Sequence, residues 1–146
     1  MTRIGSAGIE RATDALSFDA AQRAAWDQRA VDGPGGDMHQ GSAFAADRAR
    51  RGIKVLPLYV DGAPLLVTVR RLPFLGLGIA SVSRGPAVPI GAAPEAILRI
   101  PEMLRRVALW LRREEGVVEM RVDPWAPESP PLREAWAQAE IGRAHV

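Results

Sequence analysis

Apolar and polar positions along the chain follow two periods, and the switches between them outline the elements. Residues 53–60 (IKVLPLYV) and 64–71 (PLLVTVRR) are rich in β-branched side chains and flank Asp61-Gly62, a dipeptide that favours a two-residue hairpin turn. They predict an antiparallel pair of strands. Pro57 has no N–H to donate and predicts an edge position or a bulge for the first of them. Residues 79–83 and 117–122 (VVEMRV) read as further short strands. Between these two, Ile97, Ile100, Leu104, Val107, Ala108 and Leu111 recur at threes and fours, the apolar stripe of a long helix. Pro94 opens that helix, Gly116 stops it, and Pro101 should kink or split it. The run 112–115 (RREE) reads as its solvated end.

Three other segments predict helices. Residues 19–30 are alanine-rich, with Phe18, Ala21, Ala25 and Trp26 on one face, and the string DGPGG at 32–36 ends them. Ser42 is placed to cap a helix that runs to about Arg51 and is closed by Gly52, with a thin apolar face of Phe44, Ala45 and Ala49. Residues 132–139 start a last helix with Trp136 on its apolar side. Residues 1–17 show little pattern. The apolar, glycine-interrupted connection 72–78 (LPFLGLG) is expected to pack inward rather than stay exposed near a membrane or substrate. A hairpin followed by a strand–helix–strand unit implies an α/β (α+β) fold, a mixed sheet with helices against it, in one domain without internal repeats.

Composition narrows the chemistry. A chain of 146 residues, 47% of them hydrophobic, is large enough for one real core. The absence of cysteine excludes a disulfide scaffold, a thiolate metal site and a cysteine nucleophile. Two histidines, His39 and His145, cannot form a three-imidazole centre, so no metal and no cofactor is expected. A net charge of +2 is a weak footprint for nucleic acid, although all cations except Lys54 are arginines. The eight aromatic residues scatter onto apolar faces and read as core, while Arg105, Arg106, Arg112 and Arg113 leave contact with a phosphate backbone as a minor alternative. No stretch is long and apolar enough for a transmembrane helix and no signal-peptide h-region is apparent, so a cytoplasmic domain is expected.

Few residues stand in chemically suggestive positions. His39 lies between Asp37 and Ser42, but three such residues within six positions read as a loop entering a helix cap rather than a nucleophile triad. No HExxH, phosphate-binding loop or dinucleotide fingerprint occurs, and residues 85–93 do not supply the glycine- and arginine-rich turn of an acyl-CoA site. Arg84, at a strand end beside Gly85-Pro86, either ties a loop to the sheet or presents a guanidinium to a carboxylate or phosphate. Asp123 either caps the following turn or orients a partner arginine, and Arg70 and Arg71 read as solvated.

The order of these pieces resembles the first acetyltransferase-like (GNAT-like) domain of the Fem-type peptidoglycan bridge-forming aminoacyltransferases, the lipid II glycyltransferase-like family. That family has a Gln-Ser pair opening a helix, a Trp four residues after the Gln and a Lys four further on. Here Gln40 matches, and Gly41, Phe44 and Arg48 stand at the positions of Ser, Trp and Lys. A hairpin, Arg71-Leu72-Pro73-Phe74-Leu75-Gly76, a strand, Arg84-Gly85-Pro86, a long helix, a strand and Asp123-Pro124 follow in the family's order. The resemblance covers residues 18–139. It implies transfer of an aminoacyl group from aminoacyl-tRNA to the stem peptide of a peptidoglycan precursor, in cell-wall biogenesis. It also implies a second domain that engages the aminoacyl-tRNA, and a location in the cytoplasm, peripheral at the inner face of the membrane. Arg48, Arg84, Gln40 and Phe44 are then the candidate precursor-binding residues and Asp123 a structural or site-orienting one, with the catalytic residues unassigned. The alternatives are an acyl-CoA-dependent N-acyltransferase of the same superfamily and a non-catalytic precursor-binding module.

The last six residues, 141–146 (IGRAHV), resemble the in-frame translation of a sequencing adapter. On that reading the domain is C-terminally truncated near Ala139 and His145 has no role.

Overall fold

Asp61 and Gly62 both take positive φ, 50° and 82°. This is the backbone that a tight two-residue turn between right-twisted strands requires. Strands β2 (Lys54–Val60) and β3 (Ala63–Arg71) therefore return on each other, with Val60 opposite Ala63 and Lys54 opposite Val69. The structure is a computed structural model that describes residues 8–12, 20–33, 35–86, 93–123 and 129–139. The proposed tail 141–146, Phe18, and Pro124 of the Asp-Pro pair lie outside the described residues.

Around the hairpin the sheet grows on both sides. Strand β1 (Ile9–Arg11) pairs antiparallel with β2, β4 (Gly78–Ser83) antiparallel with β3, and β5 (Val117–Asp123) parallel with β4, in the order β1-β2-β3-β4-β5. A mixed sheet results. β1 was not legible in the patternless start of the chain, and it moves Pro57 away from the expected edge. The ladder alternation turns the nitrogen of Pro57 away from β3 and toward β1. There the Ala12 N–H donates to the Pro57 carbonyl at 2.9 Å, and the return bond is impossible because proline has no N–H. The described part of β1 ends at that point.

The period of two along the strands sorts side chains onto two faces. Leu56, Leu58, Val60, Leu65, Val67, Val69, Ala80 and Val82 face α4 (Ile100–Glu115), which buries Leu104, Val107, Trp110 and Leu111 against them. Helix α5 (Pro130–Gln138) adds Trp136, and the short α3 (Pro94–Leu98) adds Ile97. On the other face α1 (Ala20–Ala30) and α2 (Ser42–Arg50) bring Trp26, Ala30 and Ala45 onto Val55 and Leu66. Helices thus flank both faces of the sheet.

Pro101 splits the long helix as expected. The break falls at Arg99, so that Pro101 occupies the first turn of α4, where its missing N–H has no partner to lose. Gly116 ends α4 in the left-handed conformation, φ 64°. Two further expectations fail. Glu115 is 6% exposed and is no part of a solvated end, and the connection 72–78 does not pack inward, because Phe74 is fully exposed, Leu75 largely so and Leu77 about a third exposed. No helix among the described residues is long and apolar enough to cross a membrane.

Candidate functional site

The site forms where the chain enters α2 and where β4 ends. Asp37 stands in extended backbone before a single 3₁₀ turn, Met38–Gln40, and its carboxylate accepts the His39 N–H at 2.9 Å. The same carboxylate oxygen lies 2.6 Å from His39 Nδ1. Burial alone would raise the Asp37 carboxyl. The bonds from the His39 backbone and ring, with the charges of His39 and Arg84, outweigh it and hold the group below its ordinary value.

That turn drives Gln40 into the sheet. Its side chain, 2% exposed, donates from Nε2 to the carbonyls of Ser83 (2.6 Å) and Leu66 (3.3 Å), while Oε1 accepts the Leu66 N–H at 2.7 Å. Trp26 Nε1 donates to the Gln40 carbonyl at 2.8 Å, which ties α1 to the same point. Gly85 lies against the amide, where a Cβ would come within 2.7 Å of Gln40 Cδ, so a side chain there would collide with a buried group. The Gln40 segment and the Arg84-Gly85-Pro86 segment, 43 residues apart at the Gln40–Ser83 bond, are one piece of structure. Gln40 is accordingly a positioning residue, since its amide is spent on the strands.

Arg84 takes φ 55°, outside the extended backbone of the strand it ends. Its N–H donates to the Asp123 carbonyl at 2.8 Å, and its Nε lies 3.6 Å from Asp123 Oδ2. Asp123, at the end of the parallel neighbour β5, is thus in ion-pair range of Arg84. Both side chains remain partly open to solvent.

Helix α2 supplies the rest. Its cap is not the Ser42 hydroxyl: Gly41 is the N-cap, and Asp27 from α1 accepts both the Ser42 N–H (2.7 Å) and its Oγ–H (2.5 Å). The Ser42 hydroxyl is thereby held away from His39, and no Ser-His-Asp triad is assembled. A Cβ at Gly41 would come within 2.6 Å of Val31 Cγ2, a physical reason for glycine at that position. One turn on, the Phe44 ring receives the His39 ring edge-on at 5.3 Å and carries the Arg48 guanidinium 4.6 Å over its centre.

The five candidate residues thus gather into one region. A band runs Arg48, Phe44, His39, Asp37, Arg84, Asp123, each member in contact or in electrostatic range of the next. Gln40 underlies it. Chemically the band offers two oriented guanidiniums, suited to phosphate or carboxylate oxygens, with an imidazole–carboxylate pair between them. Asp37 and His39, read from sequence as a loop entering a helix cap, are that, with Asp37 capping the 3₁₀ turn. The capping role of Asp27 was missed from sequence, since Asp27 lies 15 residues from the helix it caps. Among the described residues no group of three or more His, Asp or Glu side chains is arranged to hold a metal ion. Comparison of the chain with protein-family models and with curated proteins finds no match.

Proposed function

We propose that this chain is the first acetyltransferase-like domain of a Fem-type aminoacyltransferase, cytoplasmic and peripheral at the inner face of the membrane. Its part in the reaction is to hold the phosphate-bearing peptidoglycan precursor whose stem-peptide amine accepts the aminoacyl group. The reading is carried by one observation. The segments bearing the family-like motifs, distant in sequence, are bonded through Gln40 to Ser83 and leave the guanidiniums of Arg48 and Arg84 on one accessible band. The mixed sheet with its parallel β4–β5 pair is the kind of frame such a domain uses.

In this mechanism Arg48 and Arg84 bind phosphate oxygens of the acceptor. Arg48 replaces the family's lysine point charge with a planar fork, and the Phe44 face holds that fork in place. Asp123 orients Arg84. Acceleration comes from fixing the acceptor amine relative to the aminoacyl ester, which turns an encounter into a positioned reaction. The aminoacyl-tRNA is engaged by a second domain.

Calorimetric titration of the chain with a muramyl-peptide nucleotide tests the binding role. Arg48→Ala is expected to weaken binding about tenfold, the loss of one charge-assisted contact, and Arg48→Lys to retain part of it. Affinity unchanged in Arg48→Ala would remove the residue from the site. Tight binding of acyl-CoA in place of the nucleotide would favour the acyl-CoA-dependent alternative. For the full-length gene product, the expected result is transfer from aminoacyl-tRNA to the precursor, and absence of transfer with a range of aminoacyl-tRNAs and precursors would refute the activity.

A further inference from the structure

The turn between β3 and β4 carries a concentration of exposed apolar surface found nowhere else among the described residues. Phe74 is 105% exposed, Leu75 65% and Leu77 36%, whereas the other large exposed apolar residues, Met38, Leu109 and Val118, are dispersed. The turn is held open rather than loose. The Leu72 N–H donates to the Leu77 carbonyl at 2.8 Å, and the Gly78 N–H donates to the Gly116 carbonyl at 3.1 Å, which fastens the turn to the end of α4. Phe74 itself sits at φ 69°, a conformation unusual for a bulky residue, and it points into solvent.

Cations surround this tip. Arg70 and Arg71 are the last residues of β3, Lys54 lies opposite Val69 at the same end of the sheet, and Arg112 and Arg113 close α4. All five are exposed. Glu115, paired with Lys54 and Arg71, and Glu114, paired with Arg113, offset two of the five positive charges and leave a net positive balance around the tip. An apolar tip ringed by cations is complementary to a surface with an apolar interior and anionic headgroups.

We propose that the β3–β4 tip is an interfacial membrane anchor. Phe74, Leu75 and Leu77 enter the boundary between headgroups and acyl chains of an anionic bilayer, Arg70 and Arg112 meet the lipid phosphates, and the net positive charge of the Lys54, Arg71 and Arg113 pairs adds attraction to the anionic surface. The tip lies at the start of β4 and Arg84 just past its end, six residues away, about 20 Å at roughly 3.3 Å per residue. The anchor stands independently of the aminoacyl-transfer reading.

Co-sedimentation of the chain with phosphatidylcholine vesicles and with phosphatidylcholine–phosphatidylglycerol vesicles tests it. Binding is expected to the anionic vesicles, to weaken with added salt, and to fall at least about tenfold in Phe74→Ser/Leu75→Ser. These residues are exposed, so the variant should keep its far-ultraviolet circular dichroism. The chain has no cysteine, so Leu75→Cys and Met38→Cys each create a single labelling position. An environment-sensitive dye should shift to the blue on anionic vesicles at position 75 and stay unchanged at position 38. Absence of binding to anionic vesicles, binding untouched by the double substitution, or equal dye shifts at both positions would each overturn the anchor. A concentration-dependent dimer that the double substitution breaks, with no vesicle binding, would overturn it too and assign the tip to a second copy of the chain.

Discussion

Gln40→Leu is expected to destabilise the fold by about 4 kcal/mol, read as a lowered urea midpoint with an unchanged slope. Leucine is close in volume but returns none of the three bonds. The Leu66 N–H and the Leu66 and Ser83 carbonyls would be left in a buried place without partners, and each orphaned group costs about 1–3 kcal/mol. Gln40→Glu separates this cause from packing. A carboxylate keeps the acceptor toward the Leu66 N–H but aims a second negative oxygen at the Ser83 carbonyl. Burial raises the pKa of such a group in the folded state, so its destabilisation should be greatest near neutral pH and relieved as pH falls and the carboxyl gains a proton to donate. A midpoint equal to that of the wild type in both variants would show that the amide does not hold β3 to β4.

Glu115→Gln is expected to cost about 3 kcal/mol near neutral pH. Glu115 accepts from Arg11 (2.7 Å), Lys54 (2.7 Å) and Arg71 (2.9 Å), and the Arg71 guanidinium also donates to its carbonyl. Arg11 lies 4.7 Å over the Trp110 ring as well, so one carboxylate gathers β1, β2, β3 and α4. Burial alone would raise the Glu115 pKa. The hydrogen bonds and charges of Lys54 and Arg11 outweigh it, and the net shift is below the ordinary value of 4.5. A carboxyl with a lowered folded pKa contributes its stability above the unfolded value and loses it as pH falls through the folded one. The stability difference between wild type and Glu115→Gln should thus be full above about pH 4.5 and shrink in stronger acid. The partners are each 36–47% exposed, so solvent screening keeps the difference below that of a fully buried network. A difference that does not change with pH would show that the charge of Glu115 is not what binds the cluster.

The elements legible in the sequence were those whose signals are local. Asp61-Gly62 specifies its own turn, Pro94 and Gly116 mark helix boundaries by backbone chemistry alone, and the stripe from Ile100 to Leu111 follows from one period. What escaped depends on partners distant in the chain. β1 is three residues long and owes its identity to pairing with β2. Glu115 looked solvated within a run of charges, yet it stands four residues after Leu111, on the same stripe, and three cations from elsewhere make its burial tolerable. The apolar string 72–78 gave no period to say which way it faces, and the burial that would turn it inward has no surface to meet at that turn. At the candidate site, Gln40, Phe44, Arg48, Arg84 and Asp123 were all marked from sequence. Their division of labour was not, because the buried, fully bonded state of Gln40 and the stacking of Arg48 on Phe44 are properties of the folded chain.

Pro57 bears on how the molecule meets other copies of itself. A long exposed strand edge is a template on which another chain can add strands and grow. The hairpin here is rich in valine and leucine, and among the described residues one of its flanks is paired by β1 alone. Pro57 can offer no second bond to Ala12, so this flank of β2 lacks one donor that an added strand would need. A proline that withholds one hydrogen bond inside the sheet thus also removes one rung from the template this flank would offer to another chain.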